Sequence, residues 1–381
     1  MARRLKRRVG LARSRLAVCS THTHSAPMLK GVLPLLFGQP IPPEHQRRID
    51  RYTRQLTDWL EQVALAALED RQPARLEWAV GRVPFARNRR RQGGPVDHSL
   101  PTLRVTTPDG RLRAVLVRYA CHCTTLTGAF NRIHGDWAGV AQAAIEKNHP
   151  GAVALVAIGC GADANPQPRG ELKQAVQHGQ AIAAEVDRLL AGSWKPVRGP
   201  VATFRTTVQL PFAPLPSREQ WQRRARSKHF PTAYHAKVYL ARLDAGQHLP
   251  THLPYPVQVW AFDSDLAVVF LPGEVVVDYQ VRLAEMFDPS RLWVNAYAND
   301  VPCYIPSRRI LREGGYEADS SMIYYDRPTR FAPEVEDLVL DAVRRLTPAV
   351  FRARPSAEKV RSQKTSARST VLVHSNPLAC R

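Results

Sequence analysis

The stretch Arg113-Ala114-Val115-Leu116-Val117-Arg118-Tyr119, followed by Ala120-Cys121-His122, decides the class of fold. It is apolar and β-branched enough for a strand, and it ends on a histidine. Residues 137–147 then read as a helix, and 153–158 form a short apolar run that enters a glycine-rich turn. Strand, helix and strand in succession argue for an α/β or mixed class. The same alternation continues outward. Helices are expected at 49–70, 171–190, 275–287 and 333–346, with strands at 201–210, 257–270 (a hairpin turning near Asp263 to Asp265) and 292–297. The expected fold is α/β, with mixed β-sheets flanked by helices in a single large domain. A basic leader without fixed structure is expected over 1–15, the folded domain over 16–350, and a flexible basic tail over 351–381.

Composition narrows the classes. With 381 residues, 44% hydrophobic and 23% charged, the chain is an ordinary globular protein rather than a disordered or collagen-like one. No apolar run approaches the roughly 20 residues of a membrane-spanning helix. The leader carries Arg3, Arg4, Lys6, Arg7, Arg8, Arg13 and Arg15 with no apolar stretch behind them. That is not a secretory signal, so a cytoplasmic location is expected for the chain as written, and a secreted or periplasmic one if its N-terminus is truncated. Six cysteines without a C-x-x-C pair give neither a disulfide framework nor a zinc ribbon, and Cys121 and Cys123 read as packing thiols. A formal charge of +21 invites a nucleic-acid reading. The arginines are scattered along the chain, however, and accompany no recognised nucleic-acid motif, so nucleic acid is not the expected partner.

The chemistry gathers in a few segments. In Thr21-His22-Thr23-His24-Ser25, two imidazoles two residues apart would face one side of a strand, an arrangement that suits zinc. An isolated H-x-H is nevertheless more often a pair of surface histidines. His122, at a strand end, reads equally as a core histidine or as a ligand. In His134-Gly135-Asp136-Trp137, Asp136 reads as the N-cap of the next helix. Gly159-Cys160-Gly161-Ala162-Asp163-Ala164-Asn165-Pro166 is a turn that lets the backbone approach something closely, and it is neither a P-loop nor a dinucleotide fingerprint. Glu274, in Leu271-Pro272-Gly273-Glu274, either complements a helix dipole or ligates a metal. Tyr297, Tyr304 and Tyr316 read as loop tyrosines that pack with a wet hydroxyl.

Taken in order, H-T-H-S-A-P, A-C-H-x-T-T, G-D-W-A-G, G-C-G-A-D-A-N-P, L-P-G-E and Y-x(11)-Y-E-A resemble the catalytic domain of the neutral/alkaline ceramidases, from about Val18 to about Tyr325. The resemblance implies a zinc-dependent amidase that cuts the N-acyl bond of ceramide or a related lipid. By motif position it puts the Zn2+ ligands on His22, His122, Glu274 and Tyr304. It puts His24 beside the metal as substrate contact or proton carrier. Arg89 matches an arginine needed for activity, Asp163 the aspartate of a G-D-x-S-P turn, and Tyr316 a donor to the developing oxyanion. The expected chemistry is attack by a zinc-activated water, with Asn165 as a helper at the oxyanion and His24 or Asp163 moving the proton. Asp163 could instead orient a ligating histidine.

Three departures accompany the resemblance. Asn165 stands where the family carries a serine, and an amide cannot attack a carbonyl. The chain begins almost on top of H-T-H, where the family has further sheet, so a truncated N-terminus is expected. The immunoglobulin-like domain of the longer ceramidases has no counterpart. A catalytically silent relative and a basic protein that binds nucleic acid or an acidic surface are the alternative readings. The expected partners are a lipid or N-acyl small molecule and, through the basic surface, the periphery of an anionic membrane.

Overall fold

Strands of two to eleven residues, the central ones rich in valine and leucine, alternate with helices of six to twenty-seven residues. The computed structural model describes residues 1–353. Helices α1 (Ala2–Val9) and α2 (Pro43–Glu69) come first, followed by strands β1 (Arg75–Arg82), β2 (Ala86–Asn88), β3 (Ser99–Thr106) and β4 (Leu112–Tyr119). Next are α3 (Asp136–Asn148), β5 (Val153–Ile158), β6 (Ala164–Pro166), α4 (Leu172–Leu190), β7 (Lys195–Val197) and β8 (Val201–Pro211). Helices α5 (Arg218–Ala225) and α6 (Phe230–Asp244) lead to β9 (His252–Phe262), β10 (Leu266–Phe270) and β11 (Glu274–Val275). The described chain closes with α7 (Val277–Met286), β12 (Leu292–Asn295), β13 (Tyr304–Ile305), α8 (Arg308–Glu313) and α9 (Val335–Leu346).

Two mixed sheets dominate, ordered β5-β4-β3-β1-β7 and β12-β10-β9-β8. They pack face to face through Trp78, Leu103 and Val197 of the first and Leu266, Val268, Phe270 and Trp293 of the second. Helices α3 and α4 lie outside the first sheet, and α9 lies against β8 and β9 of the second with α7 beside it. The result is the expected α/β architecture of mixed sheets flanked by helices. Within each sheet one pair is parallel: β4 with β5, and β10 with β12. Parallel neighbours need a crossover, which α3 and α7 supply. The carboxyl ends of both pairs meet, joined by main-chain bonds from Ala296 N–H to Ile158 O (2.9 Å) and from Ala162 N–H to Val275 O (3.2 Å). Ligand sites of α/β sheets gather at such strand ends.

Several expectations change. The basic leader is helical over α1, with Leu5 buried and Gly10 in the left-handed conformation closing it. Arg4 and Arg8 of this helix pair with Glu61 of α2 at 3.1 and 3.2 Å, and Arg4 also bonds Asp58, so the positive residues find an acidic helix face. The H-T-H segment is not a strand: His22 takes φ +57°, and only Cys19 makes an isolated bridge, to Ala298. Asp136 is not the N-cap of α3, a position Gly135 takes, but its first residue. Its own φ is +53°, and its carboxylate accepts from Leu126 N–H (2.9 Å) and Trp137 N–H (2.7 Å), tying the loop after His122 to the helix start. Cys121 and Cys123 are buried free thiols, in line with a packing role. The expected tail lies outside the described residues beyond position 353.

Candidate metal centre

His122 follows β4 by three residues and is buried. Its backbone is fixed on both sides, with its N–H on Ala164 O (3.1 Å) and its carbonyl accepting from the Trp137 indole (2.9 Å). Imidazole Nδ1 lies 3.1 Å from Gly161 O. A carbonyl can only accept, so Nδ1 carries the proton and Nε2 presents a lone pair. That Nε2 lies 2.9 Å from Glu274 Oε2 and 3.4 Å from Tyr304 Oη.

Glu274 and Tyr304 arrive together because β11 and β13 pair in parallel with these two residues in register. Gly273, at φ +82°, allows the approach: a Cβ there would meet Cys303 O at 2.6 Å. Tyr297 donates to Glu274 Oε2 at 3.4 Å, and Tyr325 donates to Oε1. Burial alone would raise the Glu274 carboxyl, but His22, His122 and Tyr325 outweigh it and hold the group well below the usual carboxylate range. His22 Nε2 stands 3.5 Å from the same Oε2. The left-handed φ of His22 is uncommon for a residue with a Cβ. Main-chain bonds from Ser20 N–H to Tyr297 O (3.1 Å) and from Asn299 N–H to Val18 O (2.6 Å) hold the loop that carries it.

His24 completes a group of three histidines whose ligand atoms lie within 4.8 Å of one another. It stands at the mouth with part of its ring exposed. Desolvation, with His22 and His122 adding to it, lowers its pKa to about 4. Tyr304 is pushed well above the usual phenol range by burial first and Glu274 second, so it keeps its proton. Arg89 donates to Tyr304 Oη (3.1 Å) and to Glu317 Oε1 (2.7 Å), and it lies 5.5 Å from the ring centroids of both Tyr304 and Tyr316. Tyr316 is 43% exposed and packs edge-on against the Tyr304 ring, with centroids 5.4 Å apart.

Two of the expected residues sit differently. Asp163 is buried and spends its oxygens on Val277 N–H (2.9 Å) and the Asn88 amide (3.2 Å), pinning α7 to β2. Among the described residues no histidine bonds it, so the task of orienting His122 falls to the Gly161 carbonyl rather than to Asp163. Asn165 lies on β6, paired with Arg87 of β2, and its Oδ1 accepts from the Thr124 hydroxyl at 3.4 Å. An open cleft of about 830 Å³ borders the same strand pair, lined by Arg82, Arg87, Arg89, Arg90 and Arg91, and none of the clustered histidines lines it.

The donor set fits a divalent ion of zinc type. Two lone pairs, on His122 Nε2 and Glu274 Oε2, face each other at 2.9 Å, a contact that calls for a cation to share. A proton is disfavoured there, because burial first and Arg89 second lower the His122 pKa. Imidazole nitrogen and carboxylate oxygen are the ligands zinc takes.

Comparison with solved structures finds relatives of the fold. The chain has the ceramidase fold. It superimposes on a ceramidase complexed with C2 at a TM-score of 0.64 and 17% identity, covering 93% of this chain and 67% of that one. It superimposes on the neutral ceramidase from Pseudomonas aeruginosa at 0.64 and 18%, covering 93% and 65%. The chain thus spans about two-thirds of the length of these ceramidases. No protein-family model matches the sequence, and no curated protein matches it.

Four elements of the centre escaped the sequence reading. Tyr297 is no wet packing residue; it is buried against Glu274. Tyr325, Glu317 and the Gly161 carbonyl were not singled out. A signal for Glu317 lies in its place beside Tyr316, since an arginine drawn into the site at position 89 needs a counter-charge. A carbonyl that orients a histidine leaves no trace in residue type.

Proposed function

We propose that the protein is a zinc amidohydrolase of the ceramidase type, acting on the N-acyl amide of ceramide or a related lipid. The observation that carries this reading is the convergence of His22 and His122 on one carboxylate, Glu274, with the Tyr304 hydroxyl on the same His122 nitrogen. These four residues would hold the ion, with His24 at its edge. A bound zinc supplies the Lewis acidity that hydrolysis of an unactivated amide needs.

The chain's own groups supply the rest. His24 is neutral at physiological pH, so its lone pair can take a proton from the attacking water and return it to the leaving nitrogen. Tyr316 keeps its proton up to about pH 12 and offers an O–H to the carbonyl oxygen as negative charge develops there. Arg89 lies against the rings of both Tyr304 and Tyr316 and fixes their positions, while Glu317 and Tyr304 hold it in turn. Asn165 offers no nucleophile, so water is the attacking group. A side-chain amide near Thr124 can still orient a substrate hydroxyl or amide.

The test is metal analysis of the purified protein paired with ceramide hydrolysis, before and after chelation and after zinc is restored. One zinc per chain, and activity that chelation abolishes and zinc restores, is the expected result. A protein that neither retains zinc nor cleaves ceramide or a soluble N-acyl amide sinks the proposal. Zinc retained without cleavage would point to the catalytically silent relative that Asn165 suggests.

A further inference from the structure

Three surface segments converge on the mouth of the histidine cluster, and each carries exposed apolar side chains. The loop following His24 exposes Phe37 (58%), along with Val32 and Leu36. The loop after β4 exposes Ile133 (78%), and it is bound to the histidine loop by Thr23 Oγ1 to His134 O (2.8 Å) and His134 N–H to Ser25 O (2.9 Å). The start of α6 exposes Phe230 (79%). It packs so closely on the first loop that a Cβ at Gly38 would meet Pro231 N at 2.8 Å. Helix α6 also braces the segment that follows Tyr325, through Tyr239 to the carbonyl of Asp326 and His235 to that of Arg327.

The charge on these segments has a single sign. No Asp or Glu occurs from Met1 to Pro43, between Asp109 and Asp136, or between Glu219 and Asp244. Cations stand beside the apolar residues instead: Lys30 near Val32, Arg132 next to Ile133, and Arg226 and Lys228 ahead of Phe230. Arg132, Arg226 and Lys228 are exposed and make no ion pair among the described residues. Arg132 lies over the Phe130 ring at 5.9 Å, and Lys30 has Asp50 at 3.7 Å. Such bulk apolar exposure at one place on a protein marks an interaction surface. Apolar side chains interleaved with uncompensated cations match the boundary of an anionic bilayer, where acyl chains take the former and headgroups the latter.

We infer that this rim is the surface by which the protein docks on anionic lipid bilayers, with the histidine cluster facing the membrane. The inference deepens the amidase reading and rests on it for its purpose, since a lipid substrate would enter from the bilayer.

The test measures flotation of the full chain with vesicles of phosphatidylcholine alone and of phosphatidylcholine mixed with phosphatidylserine. Binding is expected only to the mixed vesicles and should weaken as salt is raised. Phe37→Ser/Ile133→Ser/Phe230→Ser and, separately, Arg132→Glu/Lys228→Glu should each reduce partitioning at least tenfold. Their melting temperatures and hydrolysis of a water-soluble short-chain N-acyl amide should stay at the parent's level. Arg75→Glu/Arg111→Glu carries the same charge change at the opposite end of the first sheet, near Thr106, and should bind as the parent does. Absence of parent binding, equal binding to neutral vesicles, or rim variants that bind normally would each overturn the proposal. So would a lipid-free dimer that the apolar variants convert to monomer, because the rim would then join two copies of the chain. Because vesicle binding is read without turnover, loss of the amidase reading would leave this result standing, and the reverse.

Discussion

Glu274 lies directly opposite Tyr304 in a two-residue parallel ladder that belongs to neither of the main sheets. This short pairing carries a carboxylate from the end of β10 and a phenol from a loop thirty residues later to the same imidazole, that of His122. The ladder therefore couples the second sheet to a histidine that belongs to the first.

The carboxylate is expected to matter most for metal retention. Glu274→Gln keeps the shape but removes the charge, leaving neutral donors around the ion. Bound zinc should fall from one per chain toward zero while far-ultraviolet circular dichroism is preserved. Stoichiometric zinc in that variant would contradict the assignment of Glu274 as a ligand.

Gly161 is a steric prediction. A Cβ there would lie 2.3 Å from Ala120 C and 2.5 Å from Cys121 N, both backbone atoms, so the chain must shift. Its carbonyl also fixes the His122 tautomer. Gly161→Ala should cost about 1–3 kcal/mol of stability, as overpacking does elsewhere. It should also weaken zinc affinity about 10–100-fold, the range for groups that orient a ligand. Denaturant melts with and without chelator separate the two effects.

Arg89 spans Tyr304, Tyr316 and Glu317 with a planar fork that lysine cannot reproduce. Arg89→Lys should keep zinc but lower kcat about 100-fold, the scale on which small misplacements of reacting groups act. A kcat near the parent's would remove Arg89 from the positioning machinery.

Acid should destabilise the protein through His235. This ring is buried beside Trp221 and Tyr239, and desolvation lowers its pKa from 6.5 to about 4. The folded state therefore resists protonation more than the unfolded state does. Its contribution is fully present above pH 6.5 and is lost as pH falls toward 4, by up to about 3 kcal/mol. Asp163 acts with the opposite sign: desolvation raises its pKa to about 6, so its contribution is lost as pH rises from about 4 toward 6. His235→Gln should flatten the acid limb of a stability–pH curve, and an unchanged limb would assign acid sensitivity elsewhere.

Much of the fold could be read from periodicity. The expected strands 113–119 and 153–158 and the helix between them match β4, β5 and α3 to within a residue or two, because their apolar repeats are unbroken. Strands β1 and β3 and helices α5 and α6 were not foreseen. The burial of β1 alternates weakly, α5 is a short helix with three arginines, and α6 has no clean apolar stripe, its tyrosines and alanines being mixed with Lys237 and Arg242. The leader failed as an expectation for a different reason. Its helix depends on acidic partners more than forty residues away, at Asp58 and Glu61, which a local reading cannot pair.

The order of the residues alone determined which groups could serve: two histidines in H-T-H, one after a strand, and a glutamate and a tyrosine in loops, all of types that bind zinc. Chemistry is written in residue identity, and motif order survives in the linear chain. Only the tertiary structure decided that His122 points its Nε2 toward Glu274, that Tyr297 and Tyr325 hold that carboxylate, and that Asp163 serves the scaffold. Those outcomes depend on backbone carbonyls, a left-handed histidine and the joining of two sheets at their carboxyl ends. These are contacts between distant parts of the chain, which local sequence does not encode.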